Sequence, residues 1–274
     1  MREINSYGRL VIIAGPNGSG KSSVTIRLNK RHLLPDLYIN PDDIAKEINS
    51  SDTGNVQIAA GREAVKLRES YLASGKSFAM ETTLSGVSEI SFIKKAIAHG
   101  YKVTAYFVAV QSVFDNILRV QNRVLKGGHD VPTQDIVRRR ERSLQNLPFL
   151  IDNLPRVIVY DNTKKIRNFF RKNKNKITFI AKDLPEWFTL NISSEKINEY
   201  RLEASLKSQS MNSSYLQEWR TIRNSIQNCD IIRNFDDEHV SDIHSLNSQP
   251  QCNNQQPNNS SELHKQGNKK LRGH

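Results

Sequence analysis

Residues Gly15-Pro-Asn-Gly-Ser-Gly-Lys21-Ser22 constrain this chain more than any other stretch. They follow a short apolar run, Leu10 to Ala14, and open a segment from Lys21 to about Lys30 with helical character. The string G-x-x-x-x-G-K-S between a strand and a helix is a phosphate-binding loop. Its glycines let backbone N–H groups curl around phosphate oxygens, and the helix N-terminus adds partial positive charge. In such a loop the lysine meets the β- and γ-phosphates and the serine hydroxyl meets Mg²⁺. An ATP- or GTP-binding protein follows. Gly15, Pro16, Asn17, Gly18, Ser19, Gly20, Lys21, Ser22 and Ser23 are the expected nucleotide contacts, with Ser22 the metal ligand. No Asn-Lys-x-Asp string for guanine recognition is present.

Beyond the loop, strand-like and helix-like segments alternate. Leu37 to Asn40, Ser77 to Met80, Lys102 to Val110, Arg156 to Tyr160 and Ile177 to Ala181 read as strands. Asp42 to Asn49, Val56 to Ala73, Ile90 to His99, the stretch carrying Val113, Ile117, Val120 and Val124, and Thr133 to Asn146 read as helices. This order predicts an α/β fold of the P-loop NTPase, nucleotide-kinase-like type: a parallel sheet with helices on both faces. The pattern covers residues 1–182. Residues 183–234 carry apolar positions at helical spacing and are expected to form a helical extension on the core. Residues 235–274 are rich in Asn, Gln, Ser and His and are expected to be a disordered polar tail.

The kind of P-loop protein is narrowed by what surrounds the loop. No Walker B motif stands out, because the strand ending at Val110 runs into Gln111-Ser112. Thr83-Leu84-Ser85-Gly86 resembles part of a transporter-ATPase signature but lies too close to the loop. A small kinase remains, which needs an acceptor base and a basic lid. Asp42 and Asp43 lie just past the second strand, at the sheet edge where ligands bind. A carboxylate there can take the proton of an attacking hydroxyl; acidic residues at a helix start also stabilise it through the macrodipole. Glu81, Thr82 and Thr83 end the third strand at the same edge, where Glu81 can hold the acceptor or a water on Mg²⁺. Arg119 and Arg123 precede Gly127-Gly128-His129, and Arg138, Arg139, Arg140 and Arg142 follow it. Helix, glycine hinge and helix with arginines on both arms read as a lid over the transferring phosphoryl group. His129 is expected at the hinge or against the substrate.

These motifs, with Tyr38-Ile-Asn-Pro-Asp-Asp-Ile-Ala, Arg142-Ser-Leu-Gln-Asn-Leu and Tyr160-Asp-Asn in this order, resemble the zeta-toxin-like P-loop kinases over about residues 8–182. The likeness is to the chromosomal branch. The resemblance implies transfer of the ATP γ-phosphate, with Mg²⁺, to the 3′-hydroxyl of the sugar of UDP-N-acetylglucosamine. It implies Lys21 and Ser22 at the phosphates and metal, Asp42 as general base, Glu81 as a substrate-holding carboxylate, and Arg123, or else Arg119, as the first lid arginine. Asp43 is one step off the register of the base; Asp43, Thr82, Thr83, His129, Arg138 and Arg142 are expected contacts of the acceptor. The toxin branch has an arginine just before the second lid helix; here His129-Asp130 stands in that stretch. Arg138, Arg139 or Arg142 is expected to supply that charge. The toxin branch is neutralised by a small antitoxin, so an antitoxin or a cis-inhibitory C-terminal extension is an expected partner.

The chain of 274 residues has a formal net charge of +12, which suits polyanionic partners. A nucleic-acid-directed P-loop kinase or ATPase is therefore one rival reading. The basic residues cluster at the lid and over Lys164 to Lys176 with no interleaved aromatic platform, which disfavours it. A non-catalytic ATP-binding interaction module is the other. The two cysteines, Cys229 and Cys252, lie late in polar surroundings, which excludes a disulfide framework or a Cys-based zinc site and suits a reducing compartment. No apolar leader and no membrane-length apolar run is seen, so a cytoplasmic location is expected.

Overall fold

Successive residues of β1 (Arg9–Ala14) point into two different apolar layers, and the sheet is built outward from that strand. The computed structural model describes residues 8–48, 53–128, 130–206 and 221. Leu10, Ile12 and Ala14 face the larger core, while Val11 and Ile13 face the smaller one. This alternation is the geometric period of an extended strand. Strands β3 (Phe78–Thr82) and β4 (Lys102–Ala109) flank β1 in parallel. β2 (Leu37–Ile39) lies beyond β3 and β5 (Arg156–Asp161) beyond β4, again in parallel. β6 (Arg167–Asn173) and β7 (Lys176–Ile180) complete a seven-stranded sheet in the order β2-β3-β1-β4-β5-β6-β7.

Both faces are covered. On the smaller core, α1 (Lys21–Asn29) buries Val24 and Leu28 against Val11, Ile13 and Tyr106. On the larger core, α4 (Val87–Ala98) contributes Phe92 and Ile93, and α7 (Leu147–Asn153) contributes Leu147, Leu150 and Ile151. Two helix pairs stand at the carboxyl edge of the sheet: α2 (Pro41–Glu47) with α3 (Thr53–Ala73), and α5 (Val113–Val124) with α6 (Thr133–Gln145). Ser112 and Asp115 form a reciprocal capping box that starts α5.

The expected parallel sheet is parallel through β5 only. β5, β6 and β7 pair antiparallel. Two local features hid β6 in the sequence. A bulge opposite Val159 and Tyr160, with Phe169 as the extra residue on β6, breaks the alternation, so that Phe169 and Phe170 are both buried. The turn to β7 is Lys174-Asn175, both at positive φ (50° and 62°), the geometry of a tight hairpin without its usual glycine.

The expected helical extension begins with α8 (Glu186–Thr189), followed by a helix over 194–206. Trp187, Phe188, Ile192, Ile197 and Tyr200 are buried in the larger core. The Phe169 ring meets Trp187 edge-on at 5.5 Å and Phe188 at 5.0 Å. The rest of the extension, apart from Thr221, and the polar stretch 235–274 lie outside the described residues, as does His129. No described helix is long and apolar enough to cross a membrane. Trp187→Ala should destabilise the whole fold by about 3–5 kcal/mol, read as a lowered midpoint of urea unfolding. An unchanged midpoint would mean that the C-terminal helices are peripheral.

Candidate active site

Parallel pairing brings the ends of β1, β3 and β4 to one edge, with Glu81 beside Ile13 and Thr82 beside Ala14. The phosphate loop leaves β1 there. Gly18 and Gly20 sit at φ 71° and 98°, a region costly for any residue with a side chain. A Cβ on Gly18 would overlap the Asn116 carbonyl, and one on Gly20 would overlap the Asn162 amide. Among the described residues, the backbone N–H groups of Gly18, Gly20, Lys21 and Ser22 donate to no protein acceptor. They form a cradle with no internal partner, as an anion site requires. Ser19 Oγ and Asn17 Oδ1 are also buried there without a partner. Lys21 Nζ folds back onto the carbonyls of Gly15 (3.0 Å) and Pro16 (3.1 Å). Burial of the ammonium lowers its pKa, and the carboxylates of Glu81 and then Asp42 oppose that shift. The hydroxyls of Ser22 and Ser23 open α1 on its exposed side.

Glu81 is buried, at 9% exposure, and one of its oxygens is held by two hydroxyls. Thr25 Oγ1 from α1 donates to Oε1 at 2.7 Å and Tyr38 Oη from β2 donates to it at 2.5 Å. Burial, and then the Glu81 charge, pushes the Tyr38 phenol well above its ordinary pKa, so the phenol stays a donor. Thr82 and Thr83 follow at the strand end, with Thr83 paired to Ser85 at 2.8 Å.

The helix-start reading of the two aspartates is met by a neighbour. Asn40 is the N-cap of α2, accepting from the Asp42 N–H at 3.0 Å, and Pro41 occupies the first turn. Asp43 is held by Asn40 (2.9 Å) and Lys46 (2.7 Å) on the outer side of the helix. Asp42 turns inward instead, to Arg123 Nη1 at 3.2 Å.

The arginines around the glycine hinge divide sharply. Arg123, at the end of α5, reaches Asp42. Arg139 is half-buried, pairs with Asp135 at 3.4 Å and is near enough to act on Lys21. Arg138 pairs with Asp135 at 2.6 Å on the exposed side, and Arg142 is exposed. Arg119 turns to the carbonyls of Asn162 (2.8 Å) and Thr163 (3.0 Å), away from Asp42. Arg140 is buried. Lys21, Asp42, Glu81 and Arg123 therefore converge, while Asp43, Arg119, Arg138 and Arg142 point elsewhere. Tyr38, Thr25, Asn116 and Asn162 belong to the site as well; Tyr38 and Asn162 stand in the motifs that carry the resemblance but were given no role there, and Thr25 and Asn116 were not singled out by sequence. Their signal is a neighbour in space, which spacing along the chain does not carry.

The donor set suits Mg²⁺ held chiefly by phosphate oxygens. The Ser22 hydroxyl would be the protein's ligand to it, and no group of three or more His, Cys, Asp or Glu side chains that could hold a metal gathers among the described residues.

A family model described as Zeta toxin matches residues 5–175. An uncharacterized protein of Haemophilus influenzae is 35% identical over 132 residues, covering 48% of this chain and 91% of that protein. Among solved structures, the AvrRxo1-ORF1:-ORF2 complex with ATP matches with a TM-score of 0.55 at 15% identity, covering 69% of this chain and 66% of that one. At that identity the likeness speaks of the fold. The PezAT chromosomal toxin–antitoxin system of Streptococcus pneumoniae matches with a TM-score of 0.45 at 16% identity, covering 75% and 88% of the two chains.

The Asp42–Arg123 pair bears on how variants here should be read. Its side chains are 46% and 39% exposed, so it adds little to stability. Asp42→Asn should shift the unfolding free energy by less than about 1 kcal/mol in urea titrations. A larger loss would mean that any change in its chemistry is a change in folding.

Proposed function

Because the chain belongs to the zeta toxin family, we propose that it is an ATP-dependent kinase whose acceptor is the sugar hydroxyl of UDP-N-acetylglucosamine or a similar nucleotide sugar. The observation that carries this reading is the convergence of Lys21, Asp42, Glu81 and Arg123 at the carboxyl edge of the sheet. A phosphate cradle alone serves any nucleoside triphosphatase. A second carboxylate-bearing wall opposite a lid arginine suits transfer to a bound hydroxyl.

In this reading Asp42 takes the proton of the acceptor hydroxyl as its oxygen bonds to the γ-phosphorus. The bond to the β,γ-bridging oxygen breaks and ADP leaves. Lys21 exchanges the Gly15 and Pro16 carbonyls for β- and γ-phosphate oxygens. Arg123 moves from Asp42 onto the transferring group, where its charge counts most in the transition state. Bound at Ser22, Mg²⁺ supplies charge neutralisation at the phosphates. Glu81, fixed by Tyr38 and Thr25, holds the acceptor together with Thr82 and Thr83. The basic side of α6, with Arg139 innermost and Arg138 and Arg142 outside it, suits a diphosphate-bearing acceptor. Family membership also supports a small antitoxin as a partner.

The test is transfer of labelled phosphate from γ-labelled ATP to UDP-N-acetylglucosamine. Wild type should transfer, Asp42→Asn should lose kcat by about 10²–10⁴-fold, and Arg123→Ala by on the order of 10³. ATP binding without transfer to any nucleotide sugar would overturn the acceptor assignment. ATP hydrolysis indifferent to Asp42→Asn would overturn the role of the base.

A further inference from the structure

Two side-chain amides grip the phosphate loop from outside. Asn116 Nδ2, on α5, donates to the Asn17 carbonyl at 2.5 Å. Asn162 Nδ2, just past β5, donates to the Ser19 carbonyl at 2.9 Å. Each asparagine is held in turn by an arginine of the hinge helices, Asn116 at its side-chain amide and Asn162 at its backbone carbonyl. Arg140 on α6 donates to Asn116 Oδ1 at 2.9 Å, and also to the carbonyls of Val110 (3.0 Å) and Gln111 (2.9 Å) at the end of β4. Arg119 on α5 donates to the Asn162 carbonyl at 2.8 Å, and the Asn162 N–H donates to the Ala109 carbonyl at 2.9 Å.

Burial separates Arg140 from a solvated lid charge. It is 8% exposed and Asn116 is fully buried. Burial pulls its pKa below the usual arginine value, with Asp115 opposing. A guanidinium placed at that cost is tolerated when fixed acceptors meet its donors, and three acceptors take three of its five N–H groups.

The consequence follows from the planar trans peptide. The carbonyl of one residue and the N–H of the next belong to one plane and point in opposite directions. Pinning the Asn17 carbonyl outward turns the Gly18 N–H inward. Pinning the Ser19 carbonyl outward turns the Gly20 N–H inward. These are two of the unpartnered N–H groups of the cradle.

We propose that Arg140 and Arg119, acting through Asn116 and Asn162, are positioning residues for a nucleotide's phosphates, each setting the orientation of one peptide N–H of the loop. They touch no phosphate themselves. Two of the arginines around the hinge thus belong to the loop's support, and the roots of α5 and α6 move with the loop as one body. The inference rests on the kinase reading only in taking ATP as the anion, and its test reads binding rather than transfer.

The test uses the full chain, ATP, calorimetry and ¹H–¹⁵N spectra. In wild type, ATP should move the Gly18 and Gly20 amide protons downfield. Asn162→Ala should weaken ATP binding about tenfold and abolish the Gly20 shift while keeping that of Gly18. Arg140→Lys, which keeps the charge and loses the fork geometry, should abolish the Gly18 shift while keeping that of Gly20. General loosening of the fold would affect both glycines together, so a loss of both shifts in each variant would overturn the assignment. Wild-type shifts and affinity in both variants would overturn it too. A wild type that binds ATP with this pattern yet transfers no phosphoryl group would sink the kinase reading and leave this one standing. A wild type in which ATP moves neither glycine would overturn both.

Discussion

The parallel pairing of β1 with β3 on one side and β4 on the other determines where every group of the site lies. Parallel strands end on the same side of a sheet, so the loop after β1, the Glu81 end of β3 and the Val110–Gln111 end of β4 share one edge. The adjacent registers of Ile13 with Glu81 and of Ala14 with Thr82 bring a carboxylate against the loop lysine without any long-range loop closure. The cost is a buried charge. It is met by Thr25, Tyr38 and Lys21, each from a different element. Removing a partner from such a group leaves the full desolvation cost behind, which binds α1, β2 and β3 into one unit around it.

How much of this was legible in the sequence varies with the range of the cause. The loop, its strand and its helix are local, and glycine, lysine and serine at fixed offsets state them outright. The β4 segment announces itself by a long apolar run. β6 does not, because its bulge against β5 puts Phe169 and Phe170 in the core together and its charged residues resemble a solvated loop. Trp187 and Phe188 are visible as apolar residues, yet nothing nearby tells that they close the larger core against Phe169. Asp42 and Asp43 are adjacent and chemically identical. Only the placement of Asn40 as the cap, and of Arg123 across the gap, makes one face inward and the other outward.

The arginines around the hinge teach the same lesson more sharply. Composition presents them as one basic cluster. Burial and acceptor geometry sort them into a group that reaches the carboxylate wall, a group that is solvated, and a group that braces the loop. Charge is the same in all three. What differs is the number of fixed acceptors around each guanidinium, because a planar fork is worth most where several acceptors are held in its plane. Arg140, with two carbonyls and a side-chain amide around it, is committed. Arg138 has a carboxylate one helical turn away and open solvent beyond, and remains available.

The weakness of the Asp42–Arg123 pair is itself informative. Both side chains are more than a third exposed, and their separation is 3.2 Å. An ion pair in that setting sets no great barrier to exchange of partners. A deeply buried pair would demand that each charge be left bare when a ligand divides them. Here water can cover each group when its partner is drawn away, which suits the proposed reaction, in which Asp42 and Arg123 separate. The braced groups behave in the opposite way: Arg140 and Asn116 sit where water cannot replace a lost partner. The site thus combines a rigid cradle with an exchangeable pair across it, and the difference between them is accounted for by burial alone.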